Sequence, residues 1–405
     1  MEVRPGYKQT EVGVIPEDWE IDSIGAITDI QVGRDLHEEQ FSQLSDSTYR
    51  FPVYSNTVAD EGLYGFYSTA EYEGDSLTVV GRGVGLGTAF ARKGGYGAIG
   101  RLLVLMPNGR ADAKYLVTYI NQRVSIFVET GGIPQLTGIQ FSKYKVALPP
   151  LPEQHAIAAA LSDVDGLLGG LDRLIAKKRD LKQAAMQGLL TPPVTKEMEK
   201  GKWRRENENS GDSQFSTLNS PLNIRLPGFH GEWTMKPIAL VAPLQRGFDL
   251  PTRELTPGPY PVVYSNGVEA FHSKFMVKGP GVVTGRSGTL GRVHYVEADF
   301  WPHNTSLWVT RFGGNVPRFI YYLYDSLRFE RFASGSGVPT LNRNDAHTFR
   351  VAIPADLDEQ RAIAAVLSDM DAELAALEAR RGKTRALKQA MMQELLTGRT
   401  RLVNG

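Results

Sequence analysis

The chain of 405 residues contains no cysteine. That excludes disulfides, thiolate metal sites, iron–sulfur clusters and cysteine nucleophiles. Net charge is also missing, because 45 Lys and Arg balance 45 Asp and Glu. A purely electrostatic nucleic-acid binder is usually basic overall, so only a local basic groove remains open to this chain. No apolar run approaches the length of a membrane span. Met1-Glu2-Val3-Arg4-Pro5 lacks the apolar core of a secretory signal. The expected setting is a soluble, cytoplasmic protein with no membrane partner. Seven histidines without an H-x-x-x-H pair leave no zinc site to expect.

Chemical motifs are equally scarce. Gly81-Arg82-Gly83-Val84-Gly85-Leu86-Gly87 misses the G-x-G-x-x-G spacing, and no helix is expected after it. Thr88-Ala89-Phe90-Ala91-Arg92 reads as a strand, so the glycines read as a turn. Gly382-Lys383-Thr384 has Leu377 where a phosphate loop needs glycine. Asp112-Ala113-Lys114 has no upstream acid pair to complete a nuclease site. No serine–histidine–aspartate set and no amino-methyltransferase motif can be asserted. The sequence therefore points to a chain with no catalytic residue, no metal ligand and no cofactor of its own.

What is present is duplication. Ile15-Pro16-Glu17-Asp18-Trp19 matches Leu226-Pro227-Gly228-Phe229-His230-Gly231-Glu232-Trp233, and Gly33-Arg34-Asp35-Leu36 matches Gly247-Phe248-Asp249-Leu250. Phe51-Pro52-Val53-Tyr54-Ser55-Asn56 answers Tyr260-Pro261-Val262-Val263-Tyr264-Ser265-Asn266. Val80-Gly81-Arg82 aligns with Thr284-Gly285-Arg286, and Gly132-Ile133-Pro134-Gln135-Leu136-Thr137 with Gly337-Val338-Pro339-Thr340-Leu341-Asn342. The best match joins Glu153–Asp165 to Glu359–Asp371.

The matched tails are helical. Ile157, Leu161, Val164, Leu168, Leu171 and Ile175 alternate four and three apart, a heptad stripe. Ile363, Leu367, Met370, Leu374 and Leu377 repeat it. The first stripe then shifts phase toward Leu181, Ala185 and Leu189. Asp356 and Glu359 have the spacing of a capping box, and Pro192-Pro193 and Gly398 stop the helices. At about 39 residues each helix would run roughly 60 Å. Such a stripe outgrows a small domain, so each helix is expected to pair with the other.

The expected fold is α+β: two mixed α/β globular parts joined by two long helices in an antiparallel coiled coil, a pseudo-two-fold dumbbell. Its parts are 1–150, helix 151–191, a polar linker 192–222, 223–355, and a second helix with its tail, 356–405. Strands are expected at Ser76–Val80 and Gly281–Thr284, and amphipathic helices at Lys114–Val128 and Pro317–Phe332. Two diverged modules on a rigid spacer suit two different half-sites on DNA, set about a helical turn apart, or a multiple of it.

Tyr7-Lys8-Gln9-Thr10-Glu11-Val12-Gly13-Val14-Ile15-Pro16-Glu17-Asp18-Trp19, Pro149-Pro150-Leu151-Pro152-Glu153-Gln154 and Leu226-Pro227-Gly228-Phe229-x-Gly231-Glu232-Trp233 carry a resemblance. With the duplicated layout, the chain resembles the specificity (S) subunits of Type I restriction–modification systems. Ile353-Pro354-Ala355-Asp356-Leu357-Asp358-Glu359-Gln360 departs from the pattern in lacking proline beside Glu359. The resemblance implies two target recognition domains reading an asymmetric, bipartite sequence in double-stranded DNA, with the coiled coil setting the gap. It also implies two methylation (M) subunits bringing S-adenosylmethionine, and restriction (R) subunits with ATP and Mg. The chain itself would be non-enzymatic.

Phosphate contacts hold register and base contacts specify; Arg suits guanine, and Asn or Gln suits adenine. Arg82 and Arg286, on glycine turns, are candidate DNA contacts. Tyr54, Ser55 and Asn56, with Tyr264, Ser265 and Asn266, occur in both halves and suit a shared role in structure or phosphate positioning. Gln135, Thr137, Asn342 and Arg343 follow the Gly-x-Pro turns. Base readers should differ between halves, which adds Lys143, Lys145, His303 and Asn304. Lys177, Lys178, Arg179, Lys182, Arg380, Arg381, Lys383, Arg385 and Lys388 line the helices, as solvated ion pairs or as a basic track for spacer DNA or an M subunit. Two rival readings stay open: a duplicated coiled-coil scaffold joining two proteins without DNA, and an enzyme whose site has no sequence signature.

Overall fold

A computed structural model describes residues 4–126, 135–192, 225–334 and 340–402. Apart from Pro192, the linker expected at 192–222 lies outside the described residues, as do the Gly-x-Pro turns at 132–134 and 337–339. The chain divides into two units, Met1–Asp172 with Arg380–Gly405, and Arg173–Ala379. Each unit therefore holds the start of one long helix and the end of the other.

In the first unit, Thr28–Val32, Leu103–Pro107, Ser76–Val79 and Ala89–Arg92 form an antiparallel sheet in that order. A second sheet sets Gly97–Ala98 parallel to Phe51–Tyr54, followed by Leu63–Tyr67 and Phe41–Ser42. Glu20–Ser23 pairs with Lys145–Leu148 below the long helix. Helix Ala113–Arg123 packs on the first sheet through Tyr115, Leu116, Tyr119 and Ile120, which share one face. Asp112 caps it by accepting from the Tyr115 amide at 2.8 Å. Each fully buried large apolar side chain here contributes about 1.5–3 kcal/mol of transfer free energy.

The second unit repeats this plan. Its first sheet runs Leu244–Arg246, Ser306–Val309, Gly281–Gly285, Val293–Val296. Its second sets Trp301–Pro302 parallel to Tyr260–Tyr264, beside Gly267–His272. Trp233–Pro237 pairs with Arg350–Pro354. Helix Pro317–Ser326 starts on proline, whose missing N–H costs nothing there, and a 3₁₀ turn at Phe329–Phe332 follows it.

The long helices span Leu151–Leu189 and Leu357–Leu395. Both open on the same polar lock. Gln154 Oε1 accepts from the Asp112 amide at 2.9 Å, while its Nε2 donates to the Pro149 carbonyl at 2.9 Å. Gln360 does the same with the Val316 amide at 2.9 Å and the Pro354 carbonyl at 3.0 Å. The expected capping box does not form at the second helix. Asp356 caps the Asp358 amide, but Glu359 turns inward, where Trp233 and Arg225 hold its carboxylate.

Antiparallel pairing of the helices holds within each unit. Asp165 meets Lys388 and Asp172 meets Arg381 in the first. Lys178 meets Glu373, Arg179 meets Glu378 and Lys182 meets Asp371 in the second. The seam differs from expectation at its ends. Ile157 and Leu161 join the globular core of the first unit together with Leu395 and Leu396. Ile363 and Leu367 join that of the second with Leu189 and Leu190. Leu171 is buried, whereas Val164, Leu168, Met370, Leu374 and Leu377 are half-buried. Leu181 is off the seam: like Leu174, seven residues before it, it is exposed.

Candidate nucleic-acid interface

In the first unit four backbone segments are knitted at one edge of the sheets. Gly33 donates to the Leu102 carbonyl at 2.7 Å, Arg34 to that of Ala98 at 2.9 Å, and Gly100 to that of Arg34 at 3.0 Å. Leu136 donates to the Gly81 carbonyl at 2.8 Å, and Arg82 bridges to Gln135. Asn56 ties two of these segments together: its Oδ1 accepts from the Gly81 amide at 2.7 Å and its Nδ2 donates to the Gly100 carbonyl. Gly33 and Gly81 are needed for the close approach. A Cβ on Gly33 would stand 2.9 Å from the Ala98 carbonyl, and one on Gly81 2.8 Å from the Arg101 oxygen.

Beneath this platform Arg92 is buried. Its guanidinium lies 3.5 Å from the centre of the Tyr54 ring, and its Nε donates to Thr78 Oγ1 at 2.9 Å. Glu61 offsets its charge at 3.7 Å. Burial pushes Tyr96, whose hydroxyl is 2.8 Å from Ser76 Oγ, up to about 12. Tyr54 and Asn56 are therefore structural partners of the platform.

The second unit carries the same four segments. Gly247 donates to the Ser306 carbonyl at 3.0 Å, Phe248 to that of Pro302 at 2.8 Å, and Leu341 to that of Arg286 at 2.8 Å. Ser287 bridges to Thr340. These bonds correct one sequence pairing. Leu103 and Leu307 each follow the residue that accepts from Gly33 or Gly247, and they pair across their sheets with Val79 and Thr284. The counterpart of Arg286 is thus Gly81, and that of Arg82 is Ser287. A one-residue shift reverses the face of a strand residue, and Arg82 is exposed while Arg286 is half-buried. The two arginines are not equivalents.

The other candidates are spread over the same edge. Thr137 and Asn342 are N-caps of equivalent short helices: Thr137 Oγ1 accepts from the Gln140 amide at 3.2 Å and Asn342 Oδ1 from the Asn344 amide at 3.0 Å. Gln135 and Arg343 are exposed beside them, as are Lys143 and Lys145 after the first of these helices. Tyr264 packs against His303 with the rings tilted by 34° and their centres 4.2 Å apart, and burial holds His303 below its ordinary value. Asn266 donates to Glu269, Asn304 donates to Asp249, and Ser265 is buried. Among the helix cations, Lys178, Arg179, Lys182, Arg381 and Lys388 are spent on ion pairs between helices.

Sequence reading passed over Arg34 and Arg101. Both are exposed on the platform, and neither guanidinium makes a hydrogen bond or ion pair among the described residues. The unusual signal at Arg101 is its left-handed backbone, φ 67°, which no sequence pattern marks. Val84, at the tip of the neighbouring glycine loop, is 88% exposed.

A family profile for the Type I restriction modification DNA specificity domain matches residues 16–175 and 230–386. The chain belongs to that family. Over 147 residues it is 27% identical to a Mycoplasma pneumoniae protein named as a type I specificity subunit, covering 36% of this chain and 40% of that protein. Over 208 residues it is 24% identical to the MjaX specificity subunit of Methanocaldococcus jannaschii, covering 46% and 49%. The chain thus spans less than half the length of each of these curated relatives. Family resemblance is stronger in the fold. The crystal structure of a Type I restriction–modification S subunit from M. genitalium aligns over 98% of both chains with a TM-score of 0.64, at 15% identity. Among the described residues of this family member, no helix is long and apolar enough to cross a membrane, and no group of His, Asp or Glu is placed to hold a metal ion.

Proposed function

We propose that this chain is the sequence-reading subunit of a Type I restriction–modification complex. Each unit reads one half of an asymmetric, split target in double-stranded DNA, and the paired helices set the unread gap. One observation carries this reading. The same four-segment platform is built twice, at 33–34, 99–101, 81–82 and 135–136 and again at 247–248, 303–305, 286–287 and 340–341, and the side chains it carries differ between the copies. A shared scaffold with changed side chains is what two different half-sites require, because phosphates are alike everywhere and bases are not.

The chain contributes no catalytic group. Two methylation subunits would bring S-adenosylmethionine and the adenine-modifying site, and restriction subunits would bring ATP and Mg, all in the cytoplasm. In the second unit the exposed Leu174 and Leu181 offer a methylation subunit an apolar helix face to pack on.

The test is single-molecule sequencing of methylated adenine in a host with and without this chain, its methylation partner supplied. The expected result is loss of one split, asymmetric motif when the chain is absent. An unchanged methylome with a demonstrably active partner would overturn the reading.

A further inference from the structure

The platform of the first unit gathers three arginines at positions where the second unit has none; the second platform's Arg286 is half-buried and stands where the first has Gly81. Arg34, Arg82 and Arg101 all lie on the knitted segments, all are exposed, and none of their guanidinium groups has a hydrogen-bond or ion-pair partner among the described residues. Their separation is set by backbone, since Arg101 donates its amide to the Gly33 carbonyl at 3.3 Å and its own carbonyl crowds Gly81.

Matched hydrogen bonds identify the equivalents. Arg34 and Phe248 both donate to the carbonyl that opens the 98–102 or 302–306 turn, so they correspond. Arg101 precedes Leu102 as Thr305 precedes Ser306, and Arg82 answers Ser287. Phe248, Ser287 and Thr305 carry no charge. Surrounding Phe248 are Trp301 and Trp308, with ring centres 6.4 and 6.3 Å away.

Phosphate positioning does not account for this difference. Both half-sites present the same backbone, so both units need phosphate contacts alike. A cluster confined to one unit belongs to what differs between the half-sites, which is base sequence. Arg101 adds a second sign. It holds a left-handed backbone that a side chain with a Cβ disfavours, where glycine would be free of strain. Arginine stands there in spite of that strain.

We infer that Arg34, Arg82 and Arg101 make the first unit a guanine reader, through paired hydrogen bonds to guanine O6 and N7 in the major groove, and that the second unit's half-site is not read this way. This rests on the DNA-reading function proposed above.

The experiment uses the full chain with its methylation partner and maps methylated adenine on host chromosomal DNA. It compares wild type with Arg34→Lys, Arg82→Lys, Arg101→Lys and Arg101→Gly. Lysine keeps the charge for a phosphate but cannot form the paired bonds, and Arg101→Gly keeps the left-handed backbone. The expected result is that guanine at a defined position in one half becomes degenerate, with about a 10- to 100-fold loss of discrimination, while the other half and the gap stay fixed. An unchanged motif, a uniform weakening at all sites, or relaxation at a position that is not guanine would overturn the inference. A wild-type complex with an active methyltransferase and no chain-dependent motif would remove the underlying reading, and this inference with it, before any variant is compared.

Discussion

Arg401, near the chain's end, donates from Nε to Glu153 Oε1 at 2.6 Å, across 248 positions of sequence. Its Nη2 reaches Glu153 Oε2 at 2.8 Å, and Trp19 Nε1 donates to that same oxygen at 3.1 Å. The second unit builds a matching knot from Arg225, Glu359 and Trp233, except that Trp233 donates to the oxygen that Arg225 Nε holds. Arg401 therefore does for the first unit what Arg225 does for the second. Both carboxylates are buried at the first turn of a long helix, where negative charge also suits the helix dipole.

Removing that arginine leaves a buried carboxylate unpaired. Arg401→Ala should destabilise the first unit by about 3 kcal/mol, and Arg225→Ala should do the same to the second. Hydrogen exchange resolved by unit checks this. Loss of protection in the wrong unit, or in neither, would refute the assignment.

Gly247 is the tighter of the two close approaches. Its Cβ would stand 2.2 Å from the His303 oxygen, against 2.9 Å for Gly33 and the Ala98 oxygen. Backbone cannot yield as a side chain can. Gly247→Ala should cost about 3 kcal/mol and Gly33→Ala about 1 kcal/mol, read as shifts in denaturant midpoint. Equal, small shifts would mean the turns can open.

Acid should unfold the second unit first. Burial holds His294, His303 and His347 below their ordinary value of 6.5. The unfolded chain then binds protons more readily, so the stability from keeping them neutral is full above pH 6.5 and falls as pH drops below it. In the first unit Arg401 holds Asp18, and Arg110 holds Asp22, below the ordinary 3.8. Their contribution is present above 3.8 and fades only as pH falls through the lowered values. Exchange at pH 7.5 and 5.5 should show weakened protection in the second unit alone. Equal weakening of both units would contradict this.

The exposed leucines offer a separate test. Leu174→Glu and Leu181→Glu change residues 39% and 46% exposed. Stability should move by about 0.5 kcal/mol or less, while co-purification with the methylation partner should be lost. Retained binding would place that partner elsewhere.

The repeat and the helices were legible in the sequence because both are local patterns. A heptad stripe shows wherever apolar residues recur, and Gln154 with Gln360 sat in the best-matched stretch. Three features were not legible. Glu359 has capping-box spacing yet is claimed by Trp233 and Arg225, contacts that spacing cannot predict. Leu181 fits an apolar stripe but faces outward. Arg82 and Arg286 align on their glycines but not in the sheets.

By itself, then, the sequence determined that one α+β unit occurs twice, that each copy ends in a long helix, and which family this is. Only tertiary structure decided which residues are equivalent across the copies. The strand partners of Leu103 and Leu307 differ by one step from the glycine alignment, and a pleated strand turns one residue of slip into a reversal of face. That step leaves Arg82 exposed beside Arg34 and Arg101, and puts Ser287 in its place in the second copy.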